Sequence, residues 1–387
     1  MIDDIKLSKA VNSAKKEALK VGIKTEEKWF YASPPCGTSR GSHEAKDVDF
    51  AAALNLLHHV KKTLSGIDAN YSDVDKAVKK FDGTSDFSHI GGNFALGLSV
   101  AAARAQTSGN LYSLNGKKTK FPYPLVNVIG GGKHGGNTDF QEFLIVPYKE
   151  KTFPAAHRKA RKIWTSIGSE LRKRKLLVSK NLENAWITKM NEAQTLEFLQ
   201  SLDLDVKLGM DCAASSFWDA KKNRYVYAKS GKTMTRQEHF DFISFLIDEF
   251  DIYYCEDCFH EEDFEAFAEL NSRFKKNLIV GDDLTVTNPK RLETALEKKS
   301  ISGMIVKPNQ VGNLTLTQQV VDMAAKSGIE ITPSHRSSET MDTFLADLSV
   351  AYGAKMIKSG IAGFDLPKLA RLEALWKKIP GAEMRKI

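Results

Sequence analysis

The sequence predicts an α/β protein, a β/α barrel preceded by a smaller α+β capping domain, and three observations carry that prediction. Five short apolar runs in the second half each end in a charged residue: 206–210 at Asp211, 253–255 at Glu256, 278–281 at Asp282, 304–306 at Lys307 and 355–357 at Lys358. Glu256 and Asp282 are 26 residues apart, and Asp282 and Lys307 are 25. That interval is about one strand plus one helix with short loops, the repeat of a parallel barrel. At 387 residues, 42% of them hydrophobic and 27% charged, the chain is long enough for a barrel with a cap and ordinary in composition.

From the N-terminus, residues 1–30 open with a lysine-rich stretch whose apolar positions (Ile5, Leu7, Val11, Ala14, Ala18, Leu19) read as a helix. Trp29-Phe30-Tyr31-Ala32 reads as a strand running into a Pro/Gly/Ser loop over 33–42. Helices follow over 48–64, with Phe50, Ala53, Leu54 and Leu57 at helical spacing, and over 93–106, which is rich in small residues and expected to be buried. Pro122-Tyr123-Pro124 marks the expected boundary between a capping domain over 1–120 and a barrel over 121–387. Strands at 125–129 and 143–146 flank a glycine-rich loop, and a long basic helix covers 155–174. Further helices are expected at 235–250, 263–274, 289–298, 316–326, 339–352 and 366–378. Asn288-Pro289 is a helix start, an N-cap side chain followed by proline at the first helical position.

Composition excludes several classes. No apolar run approaches the ~20 residues of a membrane span, and Asp3-Asp4 without a following apolar region does not read as a signal or transit peptide. Four cysteines are too few for a disulfide scaffold, so a cytoplasmic location is expected. The net charge of +8 suits an anionic substrate or a nucleic acid and does not choose between them.

Charged residues at the carboxyl ends of parallel strands converge on the face where barrels keep their chemistry. Asp211, Glu256 and Asp282 offer hard oxygen ligands from three strands, which suits Mg²⁺. Strand-end carboxylates also cap helices or pair with lysines, but three in register favour the metal. Lys307 and Lys358 reach the same face, and a neighbouring ammonium or a divalent cation disfavours a protonated lysine. An amine base beside Mg²⁺ suits proton abstraction next to a carboxylate. Ser334-His335-Arg336-Ser337 ends a strand over 329–332 and is expected to lead into a helix, forming a phosphate clamp.

These residues carry a resemblance to the enolases. Matching stretches are Asp211-Cys212-Ala213-Ala214-Ser215, Gly281-Asp282-Asp283-Leu284-Thr285, Lys307-Pro308-Asn309-Gln310-Val311-Gly312, Ser334-His335-Arg336-Ser337 and Ile357-Lys358-Ser359-Gly360. Earlier matches are Pro35-Cys36-Gly37-Thr38-Ser39-Arg40-Gly41, the 131–136 loop and Gln141-Glu142-Phe143. The resemblance spans residues 30–378 and implies dehydration of 2-phosphoglycerate to phosphoenolpyruvate with two Mg²⁺. It implies that Asp211, Glu256 and Asp282 hold the first metal and that Ser39, on a closing loop, completes the second. Lys307 would take the C2 proton, and Lys358 would bind the substrate carboxylate. Arg336 and Ser337 would grip the phosphate beside His335. His134 and Gln141 would line the substrate, with His134 near the leaving group. Glu142 and Glu183 would face the base, with Glu183 protonating the departing hydroxyl.

The chain departs from that pattern at three places. Asn181-Leu182-Glu183-Asn184-Ala185 replaces the usual Gly-Asp-Glu-Gly-Gly around the acid, the loop from His134 to Glu142 is one residue short, and a lysine-rich opening replaces the usual one. In the family the usual opening contributes to the dimer contact, so its replacement leaves the oligomeric state open, with a homodimer or higher oligomer as the candidate assembly. Cys255-Glu256-Asp257-Cys258 lacks the second pair of a zinc site, and the basic stretch 157–180 is read as a solvated helix face rather than a nucleic-acid surface. No membrane partner is expected. Two alternatives stand beside the enolase reading: a related dehydratase of another carboxylate, and an enolase-like binding protein with weak turnover.

Overall fold

The first thirty residues form a sheet, not the expected helix: β1 (Asp4–Val11), β2 (Glu17–Thr25) and β3 (Lys28–Ala32) run antiparallel in that order. The computed structural model describes residues 1–26, 28–37, 41 and 43–387, apart from the side chain of His134. The helical reading failed at the turn. Asn12 Oδ1 accepts the N–H groups of Ala14 and Lys16 at 3.1 and 3.0 Å, and Lys15 adopts φ +59°, so an Asx turn folds β1 back on β2.

Helices α1 (Phe50–Leu64), α2 (Tyr71–Asp82) and α3 (Gly92–Gln106) complete the cap. The small residues of α3 serve close packing on the sheet, since a Cβ at Gly97 would stand 2.3 Å from Val21 Cγ2. The cap core (Ile5, Val21, Ile23, Val60, Val78, Phe94, Leu98) also takes in Leu314, Phe344 and Leu348 from the second half, so cap and barrel share apolar contacts. Charged contacts reinforce the join, with Arg104 bridging to Asp342 at 2.5 Å and Asp75 Oδ2 accepting Thr315 N–H at 2.9 Å.

Eight strands close the barrel: β4 (Tyr123–Gly130), β5 (Glu142–Val146), β7 (Lys207–Asp211), β8 (Ile252–Glu256), β9 (Leu278–Gly281), β10 (Gly303–Val306), β11 (Glu330–Pro333) and β12 (Met356–Lys358). β12 pairs back onto β4, and a Ser334–Lys358 bridge joins β11 to β12. All neighbours are parallel except β5, which runs antiparallel to both β4 and β7. The short strand β6 (Trp186–Thr188) adds to the far edge of β4. Within Pro122-Tyr123-Pro124, Tyr123 is the first residue of β4, the first barrel strand.

The outer ring consists of α4 (Phe153–Lys173), α5 (Glu192–Gln200), α6 (Arg236–Phe250), α7 (Phe264–Arg273), α8 (Pro289–Glu297), α9 (Leu314–Lys326), α10 (Phe344–Ala351) and α11 (Leu366–Lys378). The Asn288 cap behaves as read, its Oδ1 accepting Lys290 N–H at 2.9 Å. The basic α4 buries Ile163, Ile167 and Leu171 in the barrel core and leaves Arg158, Arg161 and Lys162 exposed. Helix α10 begins at Phe344, five residues later than expected, because the 334–343 segment is held by side-chain contacts instead. No helix among the described residues is long and apolar enough to cross a membrane.

Candidate active site

Parallel pairing sets the rim. Glu256 lies in register with Asp211, and Glu142 is paired with Asp211 from the other side. Because β5 runs backwards, its first residue reaches the same rim as the last residues of its neighbours. Asp282 follows β9, Lys307 follows β10 and Lys358 ends β12, so all six charges meet there. All but the fully buried Glu256 line a cavity of about 270 Å³, together with Glu183, Gln141, His335, Arg336, Ser337 and Asp283.

Both lysines are bound to the acids. Lys358 Nζ is 3.0 Å from Asp211 Oδ2, 2.8 Å from Glu256 Oε1 and 3.0 Å from Glu142 Oε2. Burial works against its charge, but Asp211, Glu142 and Glu256 hold the amine well above its ordinary value. The Lys307 ammonium hydrogen-bonds Asp282 Oδ2. Burial lowers that amine as well, yet Asp282 outweighs it and raises Lys307. In this arrangement Lys307 is thus shifted opposite to the lowering read from the sequence, because its nearest neighbour is a carboxylate.

Carboxylates outnumber these cations. Burial pushes Glu256 and Asp257 well above the usual carboxylate range, and Glu142 and Asp283 to about 7. Asp257, Asp282 and Asp283 bring oxygens within 4.8 Å of one another. Asp257 also accepts the N–H groups of Asp282 and Asp283 at 2.9 and 2.7 Å, which fixes the turn after β9. Such a surplus of buried negative charge fits a divalent cation with oxygen ligands.

The opposite wall is built differently. Glu183 sits in the turn after residues 177–180, where Asn181 Oδ1 accepts the N–H groups of Glu183 and Ala185 at 3.0 and 2.9 Å. Asn127, from within β4, donates to Glu183 Oε2 at 3.2 Å, and Glu183 is only 6% exposed. The altered 181–185 stretch thus still delivers the Glu183 side chain to the cavity. Gln141 donates to Asp211 Oδ2 at 3.3 Å, and His335 Nδ1 lies 3.1 Å from Asp365 Oδ2.

Two further readings change. Arg336 does not stand at a helix start; its guanidinium pairs with Glu44 of the cap at 2.9 and 3.2 Å. Alternation along a strand would point Cys255 and Cys258 to different environments, yet both are buried together with Cys212, and Cys258 contacts the other two. Ser39 and the side chain of His134 lie outside the described residues. Sequence reasoning missed Glu44, Asn127, Asp257, Asp283 and Asp365. Only Asp257 and Asp283 had a signal, as second members of the Glu256-Asp257 and Asp282-Asp283 pairs.

Comparison with known proteins agrees with this architecture. A family model described as "Enolase, C-terminal TIM barrel domain" matches residues 118–377, and one described as "Enolase, N-terminal domain" matches residues 2–114. The chain belongs to the enolase family. It is 36% identical to the enolase of Archaeoglobus fulgidus over 98% of both chains. It is 39% identical to that of Pyrobaculum aerophilum, over 86% of this chain and 84% of the relative, and 34% identical to that of Methanosphaera stadtmanae, over 97% and 96%. The enolase resemblance thus extends N-terminally beyond residue 30 into the lysine-rich hairpin.

Proposed function

We propose that this chain is a cytoplasmic phosphopyruvate hydratase that interconverts 2-phosphoglycerate and phosphoenolpyruvate in glycolysis and gluconeogenesis, with two Mg²⁺ per site. Family membership over both domains supports the activity. For the assignment of residues, the main support is that Lys307, Lys358, Glu142 and Glu183 all line one small cavity. A capping domain over residues 1–120, a barrel over 121–387 and a homo-oligomer belong to the same reading.

Asp211, Glu256 and Asp282 would hold the first cation, and Ser39 would complete the second site. Bound there, the cations would supply positive charge for the substrate carboxylate as it takes up a second negative charge. Lys307, once free of Asp282 and having released its own proton to solvent, accepts the C2 proton as a neutral amine. Lys358 binds the substrate carboxylate and adds a second positive charge near Lys307. Arg336 and Ser337 hold the phosphate, with His335 beside it, while Gln141 and His134 line the leaving-group side. Glu183 gives its proton to the C3 hydroxyl, which departs as water as the C2 electron pair forms the double bond. Glu142 shares that wall.

A Mg²⁺-dependent assay for phosphoenolpyruvate absorbance tests the reading. Wild type should turn over 2-phosphoglycerate and lose activity in EDTA. Lys307→Ala and Asp282→Asn should be inactive, and phosphatase-treated substrate should not react. Turnover of a non-phosphorylated acid in place of 2-phosphoglycerate would overturn it.

A further inference from the structure

We infer that Asp365, anchored by Lys368, is a positioning residue for the dehydration: it fixes the His335 ring where it lines the cavity with Glu142 and Glu183. This deepens the proposed function and rests on it.

The geometry forms a closed ring of buried charges. His335 Nδ1 is 3.1 Å from Asp365 Oδ2, with the two side chains 3% and 5% exposed. The other Asp365 oxygen accepts no hydrogen bond among the described residues and faces Lys368 Nζ at 3.7 Å. Lys368, itself almost fully buried, reaches Glu339 Oε2 at 2.7 Å and donates to the carbonyl of Thr340 at 3.1 Å. Glu339 Oε1 then accepts the backbone N–H of Arg336 at 3.2 Å, returning the chain of contacts to the residue after His335. Two carboxylates and one lysine leave the ring one positive charge short of neutrality, and a protonated His335 supplies it. An unbalanced charge at this depth would be costly.

Gly360 shows how tightly the ring is joined to the acid. A Cβ there would stand 2.5 Å from Asp365 Oδ2 and 2.8 Å from the Glu183 carbonyl oxygen. The backbone two residues past Lys358 is therefore wedged between the Glu183 turn and Asp365. Burial opposes the imidazolium, but Asp365 raises His335 to about 9, and Glu183 and Glu142 act in the same direction. Arg336 and Lys358 also line the cavity beside these groups.

The ring would act in the step that leaves Glu183 charged. When Glu183 gives up its proton, two carboxylates face one another on that wall, and a fixed imidazolium offsets the second. No proton moves through His335 in this scheme. Asp365 touches no reacting atom and acts only through the ring it orients.

The test is the pH profile of kcat for the Mg²⁺-saturated enzyme, comparing wild type, Asp365→Asn and Asp365→Glu. In wild type the basic limb should lie near pH 9. In Asp365→Asn it should move down by about two pH units, lowering kcat about tenfold at pH 8 with KM nearly unchanged. Asp365→Glu should restore most of the shift. A basic limb that stays in place in a folded Asp365→Asn enzyme overturns the positioning role, whereas a wild type without turnover overturns the proposed function instead. Should Asp365→Asn not fold, NMR titration of the wild-type histidines decides. The signal missing from His335→Gln should titrate above pH 8, and titration below pH 7 would refute the inference.

Discussion

The two walls of the cavity are made by different means. The lysine wall comes from strand ends, where sheet hydrogen bonds fix Asp211, Glu256 and Lys358 and the β/α repeat spaces them. The acid wall comes from a turn and a buried ring: Glu183 is held by Asn127 and Asn181, and His335 by Asp365. The first wall is rigid because of the fold. The second depends on side chains that meet only in the folded chain. Substitutions should therefore fail differently on the two sides.

The largest expected effect is on the lysine wall. Lys307→Ala should lower kcat about 10⁴-fold, the upper end for loss of a general base. Residual turnover within tenfold of wild type would move the base elsewhere. On the acid wall, Glu183→Gln should cost about 10²- to 10³-fold in dehydration, measured by the same absorbance assay. A smaller loss would mean that Glu142 can serve as the acid.

Stability should separate the walls next. Lys358 neutralises three buried carboxylates, so Lys358→Ala in EDTA should lose about 3–5 kcal/mol by urea denaturation. Adding Mg²⁺ should return part of that loss, because binding to the folded state alone raises stability. A stable, Mg²⁺-indifferent variant would show that the lysine is not compensating the cage.

The pH dependence follows from the raised carboxyls. Glu142 and Asp283 are displaced from the ordinary carboxylate range up to about 7. Between those limits the folded protein holds more protons than the unfolded chain, so without Mg²⁺ stability should fall as pH rises from about 4.5 to 7 and level off above. Mg²⁺ binding near pH 7 should release protons, visible as buffer-dependent heats in calorimetry. The smallest effect belongs outside both walls. Lys9 and Glu17 pair at 2.7 Å on the hairpin, each more than half exposed. Lys9→Ala should change stability by under about 0.5 kcal/mol and leave turnover alone.

The same contrast explains what the sequence made legible. Asp211, Glu256, Asp282, Lys307 and Lys358 were readable because each ends an apolar run and the β/α period sets its place. Glu44, Asn127 and Asp365 carried no such mark: they reach Arg336, Glu183 and His335 from the cap, from within a strand and from the segment before the last helix. Their partners lie 292, 56 and 30 residues away. The N-terminal hairpin was misread because its turn is made by the Asn12 side chain, which apolar spacing does not reveal. Helix α10 was placed too early because Glu339, which resembles a first-turn helix residue, is bound instead to Lys368 and the Arg336 backbone.

The central claim, that one wall removes a proton and the other delivers one, is tested most directly by following the C2 hydrogen of 2-phosphoglycerate in deuterated water with Mg²⁺. Glu183→Gln should still exchange that hydrogen for deuterium while forming little phosphoenolpyruvate, and Lys307→Ala should do neither. Exchange that survives in Lys307→Ala and disappears in Glu183→Gln would contradict the account.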